Sequence, residues 1–272
     1  MKNWIYYNHA ALSTTAPHET VDIKPIKDGS IWKMEGFPLF ARWTTDWDCN
    51  YETDWWYVIK DSPFDIAELK AKRRYEINKG KKNFEVKRIN PEDFIDELTE
   101  VQIAAFSAWP EKYRPTVDKA QFRESVKEWK SKVVYGGFSR EDNRLCAYSL
   151  LNEHSEYLEF NVLRTVPEYE RLGINAAMVV AIVEDYNERL GNNFYINDGS
   201  RSIRHETAFQ DYLEKYFGFR KAYCKLNIKY RFPIGWIVKI LFPFSDKIKK
   251  DSKFGSLISA VLEMEKIRRN CN

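Results

Sequence analysis

The stretch that decides the fold is residues 157–190, YLEFNVLRTVPEYERLGINAAMVVAIVEDYNERL. Its opening alternates. Leu158, Phe160 and Val162 point one way and Glu159 and Asn161 the other, the period of a half-buried strand. Past Gly173 the pattern changes: residues 174–190 are apolar almost all round and rich in Ala and Val, which predicts a helix buried between layers. A strand leading through a short loop into such a helix implies a sheet with elements packed over it.

Working upstream, residues 133–138 and 145–151 read as strands joined by the hairpin signal Glu141-Asp142-Asn143. Phe122, Val126 and Trp129 mark one helix, and Phe94, Leu98, Val101 and Ala105 a buried stripe on another that opens at Asn90-Pro91. A strand over residues 84–89 precedes them. Before it, Ser62 as N-cap, Pro63 and Asp65 predict a basic helix that runs to about residue 78 and stops at Gly80. The first sixty residues read as aromatic-rich strands, Phe40–Thr45 and residues 55–59 the clearest.

Downstream come a strand over residues 194–198, a helix over 207–216 and the strand Arg220–Tyr230, with Ala222, Cys224, Leu226 and Ile228 facing in. Residues 232–244 are apolar apart from Lys239, and their place after the last strand favours packing against the domain. The alternative is an interfacial segment, because Trp236, Phe242 and Phe244 are followed by Lys247, Lys249, Lys250 and Lys253, a rim suited to anionic lipid headgroups. The whole reads as an α+β fold, a mixed sheet in three layers. Its parts are a β-rich N-terminal extension with the basic helix (1–83), a central domain (84–230) and a helical tail (231–272).

Composition excludes several classes. With 44% hydrophobic, 15% aromatic and 31% charged residues the chain is globular, not disordered. Its 43 basic and 40 acidic residues give a net charge of +3, too balanced for a bulk nucleic-acid binder while leaving room for a local patch. The four cysteines lie far apart without metal-ligand spacing, so no metal is expected and a reducing, cytoplasmic compartment is. The N-terminus carries no secretory signal, and no apolar run reaches the ~18 residues that would span a bilayer. Triad order, Walker-type loops and Rossmann glycines are absent.

The densest polar cluster is Asn197-Asp198-Gly199-Ser200-Arg201, followed by Arg204, His205, Glu206, Thr207 and Gln210. It lies at a strand end and a helix start, where mixed sheets place ligands. Asp198 and His205 are the candidate catalytic groups there, with Arg201, Arg204, Glu206 and Gln210 to bind substrate; the bland reading is a capped, solvated loop. Glu159, with Asn161 on the same face, is a rival base, against a solvated strand face. Lys70, Lys72, Arg73, Arg74, Lys79, Lys81 and Lys82 form the strongest basic run, either a solvated helix or a phosphate-contacting face through Arg73 and Arg74.

The element order, together with Lys72-Arg73-Arg74-Tyr75-Glu76-Ile77 and Lys215-Tyr216-Phe217-Gly218-Phe219-Arg220, resembles the GNAT acyltransferase superfamily over roughly residues 60–230, with features of its Fem-type aminoacyltransferase branch. That resemblance implies an acyl, first of all acetyl, transfer from acetyl-CoA or another acyl-CoA to an amine or hydroxyl acceptor such as an amino sugar or glycan precursor. It places the CoA on Val162, Leu163 and Arg164 of the fourth strand and on Arg171, Gly173 and Asn175 of the following loop, where backbone amides at a helix start hold a diphosphate. In the loop Glu170-Arg171-Leu172-Gly173-Ile174-Asn175, Glu170 and Asn175 depart from the superfamily's usual signature. Tyr212 lies on the helix that supplies the general acid in many GNAT enzymes. The Fem-type alternative replaces acyl-CoA by aminoacyl-tRNA. A third reading is a catalytically silent RNA- or membrane-surface binding module on the same fold.

Overall fold

The computed structural model describes residues 2–203, 208–248 and 253–271. In chain order the elements begin with β1 (Trp4–Tyr7), β2 (Ala10–Ser13), the one-turn α1 (Lys24–Lys27), β3 (Phe40–Thr45), β4 (Trp55–Lys60), α2 (Ala71–Asn83) and β5 (Phe84–Arg88). They continue with α3 (Ile95–Ser107), α4 (Lys119–Lys127), β6 (Val133–Ser139), β7 (Leu145–Glu153), β8 (Tyr157–Thr165), the one-turn α5 (Pro167–Glu170) and α6 (Ile174–Asp185). The last are β9 (Tyr195–Ser200), α7 (Ala208–Phe217), β10 (Arg220–Tyr230), α8 (Ile234–Leu241) and α9 (Lys253–Asn270).

Contacts gather these into two units. One comprises Met1–Val58, Ser200–Ala208 and Lys221–Asn272, the other Ile59–Gly199 and Phe209–Arg220. The grouping follows packing and not contiguous stretches: α2 falls with the central elements, and the C-terminal helices fall with the N-terminal strands.

In the second unit β5, β6, β7 and β8 pair antiparallel and β8 pairs parallel with β9, a mixed sheet. Leu98 and Val101 of α3 pack with Phe138, Leu145 and Tyr148 on one face, as the spacing of three and four predicts. The other face is closed by α6. A Cβ on Gly137 would touch both Ile174 and Met178 of α6 and the Ala147 side chain, and Ala147 precedes Tyr148 on a strand whose side chains alternate. Three layers result.

Helix α6 is buried all round, as its composition predicts, but it ends at Asp185 and not at residue 190. The next residues are fastened instead: Asn187 accepts from Phe64 N (2.6 Å) and donates to Phe64 O (3.1 Å).

The basic helix also differs from expectation. Asp65 caps only a single 3₁₀ turn, Ile66–Glu68, by accepting from Ala67 N at 2.7 Å, and α2 starts later, at Ala71. Gly80 does not stop it. Glycine there lets two backbones touch: a Cβ on Gly80 would lie 2.5 Å from Gly173 O, and one on Gly173, whose φ is +91°, 3.0 Å from Gly80 N and Cα.

In the first unit β1 and β2 pair antiparallel, β2 and β3 parallel, and β3 and β10 antiparallel. Its core is Trp55 packed with Cys224, Leu226, Ile267 and Cys271, so α9 is a core element and not a free tail. Thr53 Oγ1 donates to Cys224 O (2.7 Å), and Trp55 Nε1 donates to Thr44 Oγ1 (3.2 Å), which satisfies the polar atoms this burial desolvates. Cys146 and Cys224 are buried free thiols, as their strand patterns predict. The segment after β10 forms α8, which packs by one face, burying Val238 and half-burying Ile234 and Leu241, and leaves Trp236 63% exposed; the expected packing is met on that face only. Among the described residues no helix is long and apolar enough to cross a membrane.

Candidate functional site

The parallel ladder of β8 and β9 joins Tyr157 to Tyr195, Leu158 to Ile196 and Glu159 to Asn197, then stops, although both strands run on. A bulge in β8 marks the place: Leu150 of β7 faces Val162 and Leu151 faces Phe160, which leaves Asn161 unopposed and exposed. The two strands therefore part beyond Glu159 and Asn197. A notch between parting parallel strands at their carboxyl ends is a place for a ligand.

Asp198 stands at this notch. Burial pushes its carboxyl up to about 7, opposed by a hydrogen bond from Gln210 of α7. Gln210 Nε2 also lies 3.4 Å from Asp198 O and from Gly199 O, so the helix is tied to the strand end. Asn197 is 1% exposed and its Oδ1 accepts from Gly199 N at 2.8 Å, a turn that Gly199 completes with φ +87°. Phe209 of α7 packs edge-on against Phe160, with centroids 6.3 Å apart. A carboxyl held near 7 on a fixed backbone is matched to taking a proton at neutral pH.

Glu159 does not join it. Being in register with Asn197, it takes the same face as Asn197, and Asp198 takes the opposite one. Its Oε2 accepts from Asn152 Nδ2 at 3.0 Å, and Asn152 in turn accepts from Lys132. Nothing local in the sequence marks Asn152; it is the register of β7 and β8 that sets it opposite Glu159. Tyr212 is not brought to Asp198 either. It follows Gln210 by two residues, and such positions do not share a helix face. Its ring meets Phe209 and Phe217, and burial pushes its hydroxyl up to about 12.

Arg73 and Arg74 are both held by contacts within the second unit. Arg73 Nη1 pairs with Glu76 at 2.5 Å, and its guanidinium lies 3.2 Å from the Tyr216 ring centroid. Arg74 Nη1 donates to Ala67 O and Leu69 O. Arg73→Ala is expected to lower the urea midpoint by an amount equivalent to about 1–2 kcal/mol, with Arg73→Lys recovering only part of it, because an ammonium cannot stack as a guanidinium does. A midpoint unchanged by Arg73→Ala would remove this anchoring role. Arg201 is engaged within the first unit, its Nη1 donating to Asp54 O (2.8 Å) and its guanidinium 4.5 Å from the Trp56 ring. Arg204, His205, Glu206 and Thr207 lie outside the described residues.

Of the residues placed on a CoA by the resemblance, Val162 packs against the α3 cluster, Leu163 is half-buried, and Arg164 Nη1 donates to Leu163 O with its guanidinium 5.2 Å from Phe106. Arg171 is exposed, Asn175 half-buried, and Gly173 caps α6. Helix α2 lies against this loop: besides the Gly80–Gly173 contact, Lys79 Nζ donates to Arg171 O (2.6 Å) and Asn83 Nδ2 to Leu172 O (3.1 Å). The exposed side of α2 presents Lys72, Tyr75 and Lys82, three and seven residues apart and so on one face.

No protein-family model and no curated protein matches the chain. Its fold, however, is found in solved structures. L-PGS from Bacillus licheniformis aligns over 99% of this chain and 86% of its own at 12% identity and a TM-score of 0.51. The C-terminal domain of an Agrobacterium fabrum protein named as a lysylphosphatidylglycerol synthetase aligns over 87% and 82%, at 10% identity and 0.53. FemX aligns over 80% and 81%, at 8% identity and 0.50. The α+β architecture, a mixed sheet flanked by helices, is thus similar to the folds of L-PGS and FemX.

Proposed function

We propose that this chain is a transferase that moves an aminoacyl group from a tRNA carrier to a hydroxyl or amine acceptor, with Asp198 as general base. The observation that carries the reading is the Asp198 carboxyl, held near 7 at the notch where β8 and β9 part. The ionised carboxylate takes the proton of the acceptor as its oxygen or nitrogen attacks the aminoacyl ester carbon. The ester bond to the carrier then breaks, and the departing ribose oxygen receives the proton.

Three observations favour tRNA over acyl-CoA as carrier. Helix α2 lies against the loop that would hold a CoA diphosphate. The exposed face of α2 sets Tyr75 among Lys72 and Lys82, an aromatic plane between cations, suited to an RNA backbone and an unstacked base. And the fold is shared over most of its length with a protein named for joining lysine to phosphatidylglycerol.

Thermal shift separates the donors. Saturating tRNA is expected to raise the melting temperature by about 5 °C, an effect that fades with added salt, and acetyl-CoA to leave it unchanged. A shift with acetyl-CoA and none with tRNA would restore acyl-CoA as the donor and leave Asp198 as the base.

A further inference from the structure

Helix α8 is held by one face only. Val238 is 6% exposed, whereas Phe232, Trp236, Ile237, Ile240 and Phe244 are 80%, 63%, 46%, 63% and 54% exposed. Trp236 and Ile240, four residues apart in α8, form with Ile237 beside them an exposed apolar stripe on one face of the helix, and Phe232 and Phe244 stand exposed just before and after it. A soluble surface rarely keeps so many large apolar side chains side by side in water, and a stripe of this kind marks a partner.

The charges around it select the partner. Residues 229–248 carry Lys229, Arg231, Lys239 and Lys247 against Asp246 alone. Lys229, Lys239 and Lys247 are exposed, and Lys239 Nζ lies 5.9 Å from the Trp236 ring, where its stem borders the stripe and its ammonium reaches past it. A second copy docked by the same stripe would set these cations against their own kind. A nucleic acid would pair with the cations but leave Ile237 and Ile240 wet. An anionic bilayer satisfies both parts: the stripe enters the boundary between headgroups and acyl chains, Trp236 sits at the depth indoles favour, and the lysines meet lipid phosphates.

We infer that α8 is an interfacial helix that docks this protein on anionic membrane surfaces, with its axis in the membrane plane. The docking is independent of the carrier from which the aminoacyl group comes. Co-sedimentation with vesicles of phosphatidylcholine containing about one third phosphatidylglycerol tests it, against vesicles of phosphatidylcholine alone. The protein is expected to pellet with the anionic vesicles at low salt, to be released as salt rises, and to remain in the supernatant with the neutral ones. Trp236→Glu combined with Ile240→Glu is expected to cut the bound fraction at least about tenfold, with the melting temperature held because both side chains are already in water. No pelleting at low salt, or equal pelleting of parent and double variant, overturns the inference. So does a parent that is dimeric by light scattering while the double variant is monomeric, since the stripe then belongs to a second copy.

Discussion

Asp198→Asn is expected to lower turnover on the order of a hundredfold or more, because the amide keeps the shape of the carboxyl and loses its basicity. In the parent, activity should rise with pH through about 7 and then level, as the carboxylate forms. The variant should lack that limb. Stability should move the other way. The ordinary value of 3.8 is raised to about 7 in the folded chain, so between these values the folded state keeps a proton that the unfolded state has released. Stability from this group therefore falls as pH rises from about 4 to about 7 and stays low above it. Removing the charge should make Asp198→Asn more stable than its parent above neutrality, by about 2 kcal/mol once partial exposure is allowed for, and equal to it near pH 4. Urea midpoints across this range, with turnover on the identified acceptor, measure both. A variant that keeps full activity places the base elsewhere, and Glu159 on the other face becomes the next candidate.

Gly80→Ala is expected to destabilise the protein by about 3 kcal/mol and to lower its melting temperature by roughly 5–10 °C. Helix propensity alone gives the opposite sign, since Ala for Gly inside a helix stabilises by about 1 kcal/mol. The difference is the contact: the new methyl would lie 2.5 Å from Gly173 O and 3.2 Å from the Ala177 side chain, against backbone that cannot swing aside. Relief requires α2 to move off the loop before α6, which also lengthens the Lys79–Arg171 bond. Asn78→Ala, exposed on the same helix, serves as the propensity control. A more stable Gly80→Ala would mean that the two helices do not touch.

These two positions show what a sequence alone reveals. The alternation of β10, the α3 stripe and the Glu141-Asp142-Asn143 turn were legible because each is a local period or a local torsion. Gly80 reads as a stop because a glycine that ends a helix and one that lets a distant backbone approach look alike along the chain. Asp198 was legible as a member of a polar cluster, but its shifted proton affinity comes from burial beside α7, a long-range fact. That Glu159 and Asp198 lie on opposite faces follows from strand parity, once the pairing of Glu159 with Asn197 is known. Tyr212 entered by resemblance, and its place two residues past Gln210 turns it away. Residues 232–244 are apolar around most of the helix, so the sequence states how much apolar surface there is and not which part α9 leaves open.

The pairing of β3 with β10 bears on how the chain is made. Asn227 Nδ2 donates to Thr45 Oγ1 across 182 residues, and Trp43 pairs with Asn227 in the ladder. On the ribosome, Phe40–Thr45 emerges long before its partner strand exists, whereas every residue of the second unit has been synthesised by Arg220. The second unit can therefore close first, and the first waits for the final strand and for α9, which delivers Ile267 and Cys271 to Trp55. During that interval an aromatic strand has an open edge, the form in which nascent chains pair with one another. Expression at lower temperature, or with a chaperone that shields such edges, should raise the soluble yield of the whole chain.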